Sequence, residues 1–304
     1  MIYTNKYGVP IPIAIWLSHN TYIHDEDENA ISATTMLKSV KQIVLGRRYK
    51  ESTKEVDVMD LAASKIGSAI HADVEHSMDK DTFTRLAKEN FGITPKDFHS
   101  EIRTKKEING YVISGKFDIV YSGIVVDIKS TSVWKYMLGD GEDYIKQMSI
   151  YKWLNPELIH KPNGYICYIF TDWSKQKARQ DTSYPQHRIQ WREFPLDDNI
   201  EEWLDKKTKA IRYAESLSDD ELPDCTPEER WEKPTVWKYY KGASRDRATK
   251  VYDNEHEAYE RMKKDGGAVI EFKGESTGCT YCSYTNLCNQ YKKICGDISA
   301  ILGE

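Results

Sequence analysis

Between Tyr111 and Ser130 the chain carries two runs rich in β-branched and aromatic residues, Tyr111-Val-Ile-Ser-Gly-Lys-Phe-Asp-Ile-Val-Tyr121 and Ile124-Val-Val-Asp-Ile-Lys-Ser130. Only Ser122-Gly123 separates them, which reads as a tight two-residue hairpin. That turn sets the register, and the register places Asp118 directly opposite Asp127, with Cβ atoms about 4.5–5.5 Å apart. Alternate residues of a strand share a face, so Lys129 points the same way as Asp127, roughly 7 Å along. Ile124, Val125, Val126 and Ile128 surround Asp127 with apolar neighbours on both faces, as in a central strand, where an acid needs a partner. Asn109-Gly110 signals a second type I′ hairpin, between Glu101–Ile108 and the first run. It brings Glu101 opposite Asp118, as an edge-strand charge or alternatively as a further ligand or general base.

Two acids facing each other repel unless a proton or a cation intervenes. With a lysine beside them they form a site for one hard divalent ion and a phosphate, which points to cleavage of phosphodiester bonds. Gly67, His71 and Glu75 recur every four residues on an expected helix and project from one face. The glycine costs that helix about 1 kcal/mol relative to alanine, which fits close approach of another backbone or a ligand. His71 is the candidate third metal ligand, its imidazole suiting manganese or another transition ion better than magnesium. Gln147 and Tyr151 form another i, i+4 pair, able to orient a DNA strand or steady Lys129.

The rest of the chain reads as an α/β protein with a mixed sheet flanked by helices. Helices are expected from Ser32 to about Arg48, Val56 to about Asp79, Glu142 to Leu154 and Asp198 to Leu217. Strands are expected from about Glu101 to Ser130 (three), at Gly164–Thr171 and near Arg188–Pro195. At 304 residues the chain suits one large domain with a small one appended, divided at 1–222 and 223–304. In the second, Trp237–Tyr240, Ala248–Tyr252 and Ala268–Phe272 read as strands and Glu255–Lys264 as a helix. No apolar run approaches the roughly 20 residues of a membrane span. The short, proline-broken Val9–Leu17 lacks a basic leader, so no secretion signal is read. The net charge of −5 leaves nucleic-acid binding to local basic patches. Candidates are Lys38, Lys41, Arg47, Arg48 and Lys50, and the stretch from Lys238 to Lys250.

Without an export signal, a reducing, cytoplasmic setting is expected, and six cysteines are better read as metal ligands than as disulfides. Cys279, Cys282 and Cys288 form a C-x2-C-x5-C run. The lobe before it offers Cys225 a return path as fourth ligand, with Cys295 as the competitor. Four thiolates hold either a four-iron cluster, favoured by the three-plus-one spacing, or a tetrahedral zinc. Cys167, in an apolar strand, reads as an inert buried thiol.

Gly67–His71, Gly115-Lys-Phe-Asp118, Asp127-Ile-Lys129 and Gln147-x-x-x-Tyr151 together resemble the RecB-type branch of the PD-(D/E)XK nucleases, in the same order and with approximately the same spacing. The cysteine run resembles that of the family's iron–sulfur members, the CRISPR adaptation nucleases and AddB helicase–nuclease among them. Phe117 stands where the namesake proline occurs, and Cys225 follows the core where those relatives place a cysteine before it. The resemblance implies a restriction-endonuclease-like core with a small C-terminal cysteine lobe and a metal-dependent DNA exonuclease using Mg2+ or Mn2+. His71, Asp118 and Asp127 would bind the ion, Lys129 would activate water or stabilise charge, and Gln147 and Tyr151 would contact substrate. Cys225, Cys279, Cys282 and Cys288 would bind a 4Fe-4S cluster, with Zn2+ as the alternative. Partners would be DNA and a helicase, recombinase or other DNA-processing protein, in recombination, repair or CRISPR adaptation. The alternative function is a non-catalytic DNA-binding or recombination partner retaining the fold.

Overall fold

The computed structural model describes residues 2–19, 27, 29–49, 55–139, 141–242 and 247–294. Lys50, Cys295 and part of the Lys238 to Lys250 stretch lie outside the described residues. The chain divides into two compact units, Met1–Lys38 with Thr53–Arg212, and Ser39–Ser52 with Tyr213–Glu304. The second unit thus takes in a segment that the sequence reading assigned to the first.

In the first unit, β1 (Ile2–Thr4), α1 (Ile11–Ser18), β2 (Ala30–Ser32) and α2 (Ala33–Met36) come first. The helix expected from Ser32 to Arg48 is two helices, α2 and, in the second unit, α3 (Val40–Arg48). Ser32 Oγ, accepting from Thr35 N, caps the first, and the break comes where Ser39 forms a capping box with Gln42 and starts the second. Next come β3 (Glu55–Asp57), a 3₁₀ turn at Val58–Leu61 and α4 (Ala62–Ser77). The helix expected from Val56 therefore starts later, because the Asp57 carboxylate accepts from Met59 N and initiates the turn. An unexpected helix, α5 (Lys80–Phe91), is capped by Asp79 and ended by Gly92 at φ 68°.

Four strands follow: β4 (Phe98–Ser100), β5 (Arg103–Ile108), β6 (Tyr111–Lys116) and β7 (Ile119–Tyr121). After them come β8 (Ile124–Thr131), α6 (Val133–Leu138), α7 (Glu142–Leu154), β9 (Asn163–Phe170), α8 (Lys175–Gln180), β10 (Ile189–Pro195) and α9 (Ile200–Glu215). They form a mixed five-stranded sheet in the order β10-β9-β8-β7-β4, a three-stranded sheet β2-β6-β5 and the pair β1-β3. Helices α6 and α7 make the crossover between the parallel strands β8 and β9.

Both hairpins have the expected register. Ile119 pairs with Val126 and Tyr121 with Ile124; Arg103 pairs with Lys116 and Ile108 with Tyr111. Asn109, Gly110, Ser122 and Gly123 all have positive φ, as two type I′ turns require. The single strand expected over Tyr111–Tyr121 is broken at Phe117-Asp118, so β6 and β7 belong to different sheets. The wholly buried Phe117 ring anchors this crossing, and Glu101 N donates to Asp118 O at 3.0 Å across it.

In the second unit, β11 (Val236–Tyr240), β12 (Lys250–Tyr252) and β13 (Ala268–Phe272) make an antiparallel sheet with β11 central. Helix α10 (Glu255–Asp265) covers it around Tyr239, Tyr252 and Ala258, and α11 (Thr277–Thr280) opens the cysteine run. Helix α3 joins this unit through Lys41–Asp224 and Arg47–Glu215 ion pairs at 2.8 and 2.7 Å. No helix of the described residues is long and apolar enough to cross a membrane.

Candidate functional site

Strand β8 presents Asp127 and Lys129 on the face covered by α7. Asp127 is 2% exposed. Its Oδ2 stands 2.6 Å from Lys129 Nζ, yet outside hydrogen-bonding geometry, so this buried oxygen has charge compensation without a hydrogen bond. Burial opposes the charge on Lys129, but Asp127 and, more weakly, Asp118 outweigh it and raise the ammonium's pKa. Asp118, just before β7, accepts from Ile128 N at 2.7 Å through Oδ2. Burial first, and the nearby Asp127 second, push its carboxyl up to about 7. A proton on Asp118 or a positive charge beside it relieves the repulsion between the two acids.

Gln147 and Tyr151 come to this site from α7. Gln147 Nε2 lies 3.4 Å from Asp127 Oδ1 and donates to Tyr151 OH at 2.6 Å. Both side chains are buried, and the glutamine touches Asp127 rather than Lys129. Gly115 explains why α7 sits so close: a Cβ there would stand 2.6 Å from Leu154 Cδ1 and 3.0 Å from the Tyr151 ring.

From α4, His71 faces Asp127 and Lys129, and Glu75, one turn on, faces Lys116. The reason for Gly67 is the hydroxyl of Ser130, which a Cβ would approach to 2.8 Å, so the close neighbour is a β8 side chain. Burial, then the Lys129 charge, lowers the His71 pKa, leaving the imidazole neutral and its ring nitrogens free of an extra proton. Glu101 ion-pairs with Lys116, which also reaches Glu75 at 3.4 Å. Burial raises the Glu101 carboxyl despite that lysine, and the two glutamates raise Lys116 against its own burial.

Two aromatic residues at the site were not singled out from the sequence. Tyr144, one turn before Gln147 on α7, has its ring 5.7 Å from Lys129 Nζ. Tyr168 on β9 is the register partner of Lys129. The helical spacing from Gln147 was a readable signal for the first; only strand pairing reveals the second.

In the second unit one cavity is lined by Cys225, Cys279, Cys282 and Cys288. Burial, followed by the three other sulfurs, pushes the Cys279 thiol up. Cys225 Sγ contacts Ser39 Oγ at 3.2 Å, and the Cys225 backbone exchanges hydrogen bonds with the Gln290 amide at 2.9 Å each. Tyr291 N donates to Cys288 Sγ at 3.4 Å. Cys167 lies apart on β9, half-buried, its thiol pushed up by burial.

Asp127 Oδ2 and the raised Asp118 are a donor set suited to a hard cation, and four thiols around one cavity suit a soft metal centre. No three His, Cys, Asp or Glu among the described residues are arranged to hold one metal ion.

No protein-family model matches the chain, and no curated protein matches it. Solved structures give weak likenesses. The protein SSO0001 is 21% identical, with a TM-score of 0.40, over 67% of this chain and 84% of that one. An alkaline exonuclease from Laribacter hongkongensis is 13% identical, with a TM-score of 0.39, over 62% and 88%. A phage-related exonuclease from Haemophilus somnus 129PT is 13% identical, with a TM-score of 0.35, over 66% and 91%. Scores of this size carry no inference about chemistry.

Proposed function

We propose that this chain is a divalent-metal-dependent DNA nuclease, acting as an exonuclease. The observation that carries this reading is the β7–β8 register, which sets Asp118 beside Asp127 with Lys129 on the same face. The four motifs that resemble the RecB-type nucleases support it. Asp118, Asp127 and His71 would hold Mg2+ or Mn2+, which when bound lowers the pKa of water and neutralises phosphate oxygens.

The chain's own residues divide the remaining work. Lys129 aligns the attacking water and offsets the charge that builds on the phosphate oxygens. Hydrolysis joins the water oxygen to phosphorus while the ester oxygen leaves and takes up a proton. Gln147, steadied by Tyr151, orients the Asp127 carboxylate, and neutral His71 is available as a donor without first losing a proton.

In the second unit we assign Cys225, Cys279, Cys282 and Cys288 to a 4Fe-4S cluster with a structural role, zinc being the alternative. What favours the cluster is the three-plus-one spacing of the cysteines, with all four thiols lining one cavity.

Asp118→Ala and Lys129→Ala test the nuclease reading. Each is expected to abolish Mg2+- or Mn2+-dependent degradation of DNA with an unchanged circular dichroism spectrum. Undiminished cleavage by either variant overturns it.

A further inference from the structure

Beside the acid site, on the same face of the sheet, lies a second cavity of about 120 Å³ walled by Tyr136 of α6, Tyr144 of α7 and Tyr168 of β9. Cavities on the order of 150 Å³ accept a single aromatic ring. The three rings are held in a fixed array. Tyr136 meets Tyr168 edge-to-face at 4.9 Å and Phe170 at 5.1 Å, and Tyr144 meets Tyr168 at 6.1 Å. Cations flank them: Arg192 lies 4.5 Å over the Tyr136 ring, and Lys135 is on the cavity wall, as is the carboxylate-bearing Asp143. Two of its walls border the proposed chemistry: Tyr144 is 5.7 Å from Lys129 Nζ and Tyr168 is the register partner of Lys129.

A planar, apolar face with polar edges, carried on a phosphate chain, matches this lining. Aromatic walls take the ring, Lys135 and Asp143 offer a donor and an acceptor to its edge, and Lys129 lies toward the phosphate. A base inside a duplex must be unstacked on both faces and unpaired to enter, at a cost of a few kcal/mol, whereas a terminal base is already open on one face. The cheapest occupant is therefore the end of a strand. We propose that this tyrosine cavity receives the terminal nucleobase of a DNA strand whose phosphodiester lies at Asp118, Asp127 and Lys129. This rests on the nuclease reading above and makes the end of the strand, rather than sequence, what the site selects.

Duplexes carrying 2-aminopurine at a terminal or an internal position of either strand test it, titrated with the full-length protein in EDTA. Wild type is expected to quench the terminal probe of one strand and to leave internal probes unchanged. Tyr136→Ala should abolish that quenching and raise KM for linear DNA about 5- to 150-fold in Mn2+. Tyr136→Phe, which keeps the ring, should retain both properties and guards against a folding defect in the alanine variant. Equal quenching at internal positions, no quenching anywhere, or wild-type behaviour of Tyr136→Ala overturns the assignment. Cleavage without terminal quenching removes the cavity's role and leaves the nuclease reading standing. Terminal quenching without cleavage removes the nuclease reading alone.

Discussion

Asp118 ionises about where cellular pH lies, and the cause is local: a buried carboxyl next to Asp127. Unfolded, it would ionise near 3.8; folded, it holds its proton to about 7. Between these values the native state binds the extra proton, so the stability of the cation-free protein falls as pH rises from about 4 to about 7. A divalent ion competes with that proton, so its stabilising effect should grow over the same range. Calorimetry at about pH 5.5 and about pH 8 checks this: the Mn2+-induced rise in Tm should be larger at the higher pH. Equal shifts would remove Asp118 from the ion's ligands. Gln147 poses a different question, because its amide serves Asp127 and Tyr151 together. Gln147→Leu removes the amide donor that Asp127 and Tyr151 share and should cost about 1–3 kcal/mol in urea denaturation. An unchanged midpoint would show that the Asp127 contact contributes nothing. The acids and lysine were legible in the sequence because two-residue alternation and a short turn place them; Tyr168 was not, because parallel pairing joins segments far apart in the chain.

Among the elements, the β7–β8 hairpin carries the site. Gly123 has φ 79°, and a Cβ there would overlap the His160 ring. Gly123→Ala should therefore destabilise the protein by about 1–3 kcal/mol and weaken Mn2+ binding together, as titration calorimetry and denaturation would show. Loss of stability with unaltered Mn2+ affinity would separate the turn from the site. The hairpins were readable because Asn109-Gly110 and Ser122-Gly123 are local turn chemistry. Helix starts were less so. The Ser39-x-x-Gln42 capping box was there to be read, but an apolar pattern running through it suggested one continuous helix. The break at Phe117 has no local signal at all, since β6 and β7 part only because two different sheets receive them.

At the scale of the whole molecule, two units with their own interiors imply two unfolding steps. Cys282→Ser should remove the visible absorption of an iron–sulfur cluster and lower the transition of the second unit while leaving that of the first in place. A colourless wild-type protein that binds zinc stoichiometrically would replace the cluster with the alternative metal, and one transition that shifts as a whole would refute separate cores. The unit boundary itself was hidden, because α3 joins the second unit through Lys41–Asp224 and Arg47–Glu215, partners far along the chain. By itself the sequence determined the hairpin register and hence the facing acids, since a tight turn and a repeat of two leave one arrangement. Only the tertiary structure showed that Gln147 reaches Asp127, that Tyr168 is the register partner of Lys129, and that Cys225, expected from the sequence as a fourth ligand, lines one cavity with the other three cysteines. Such meetings depend on how distant segments pack, which no local pattern encodes.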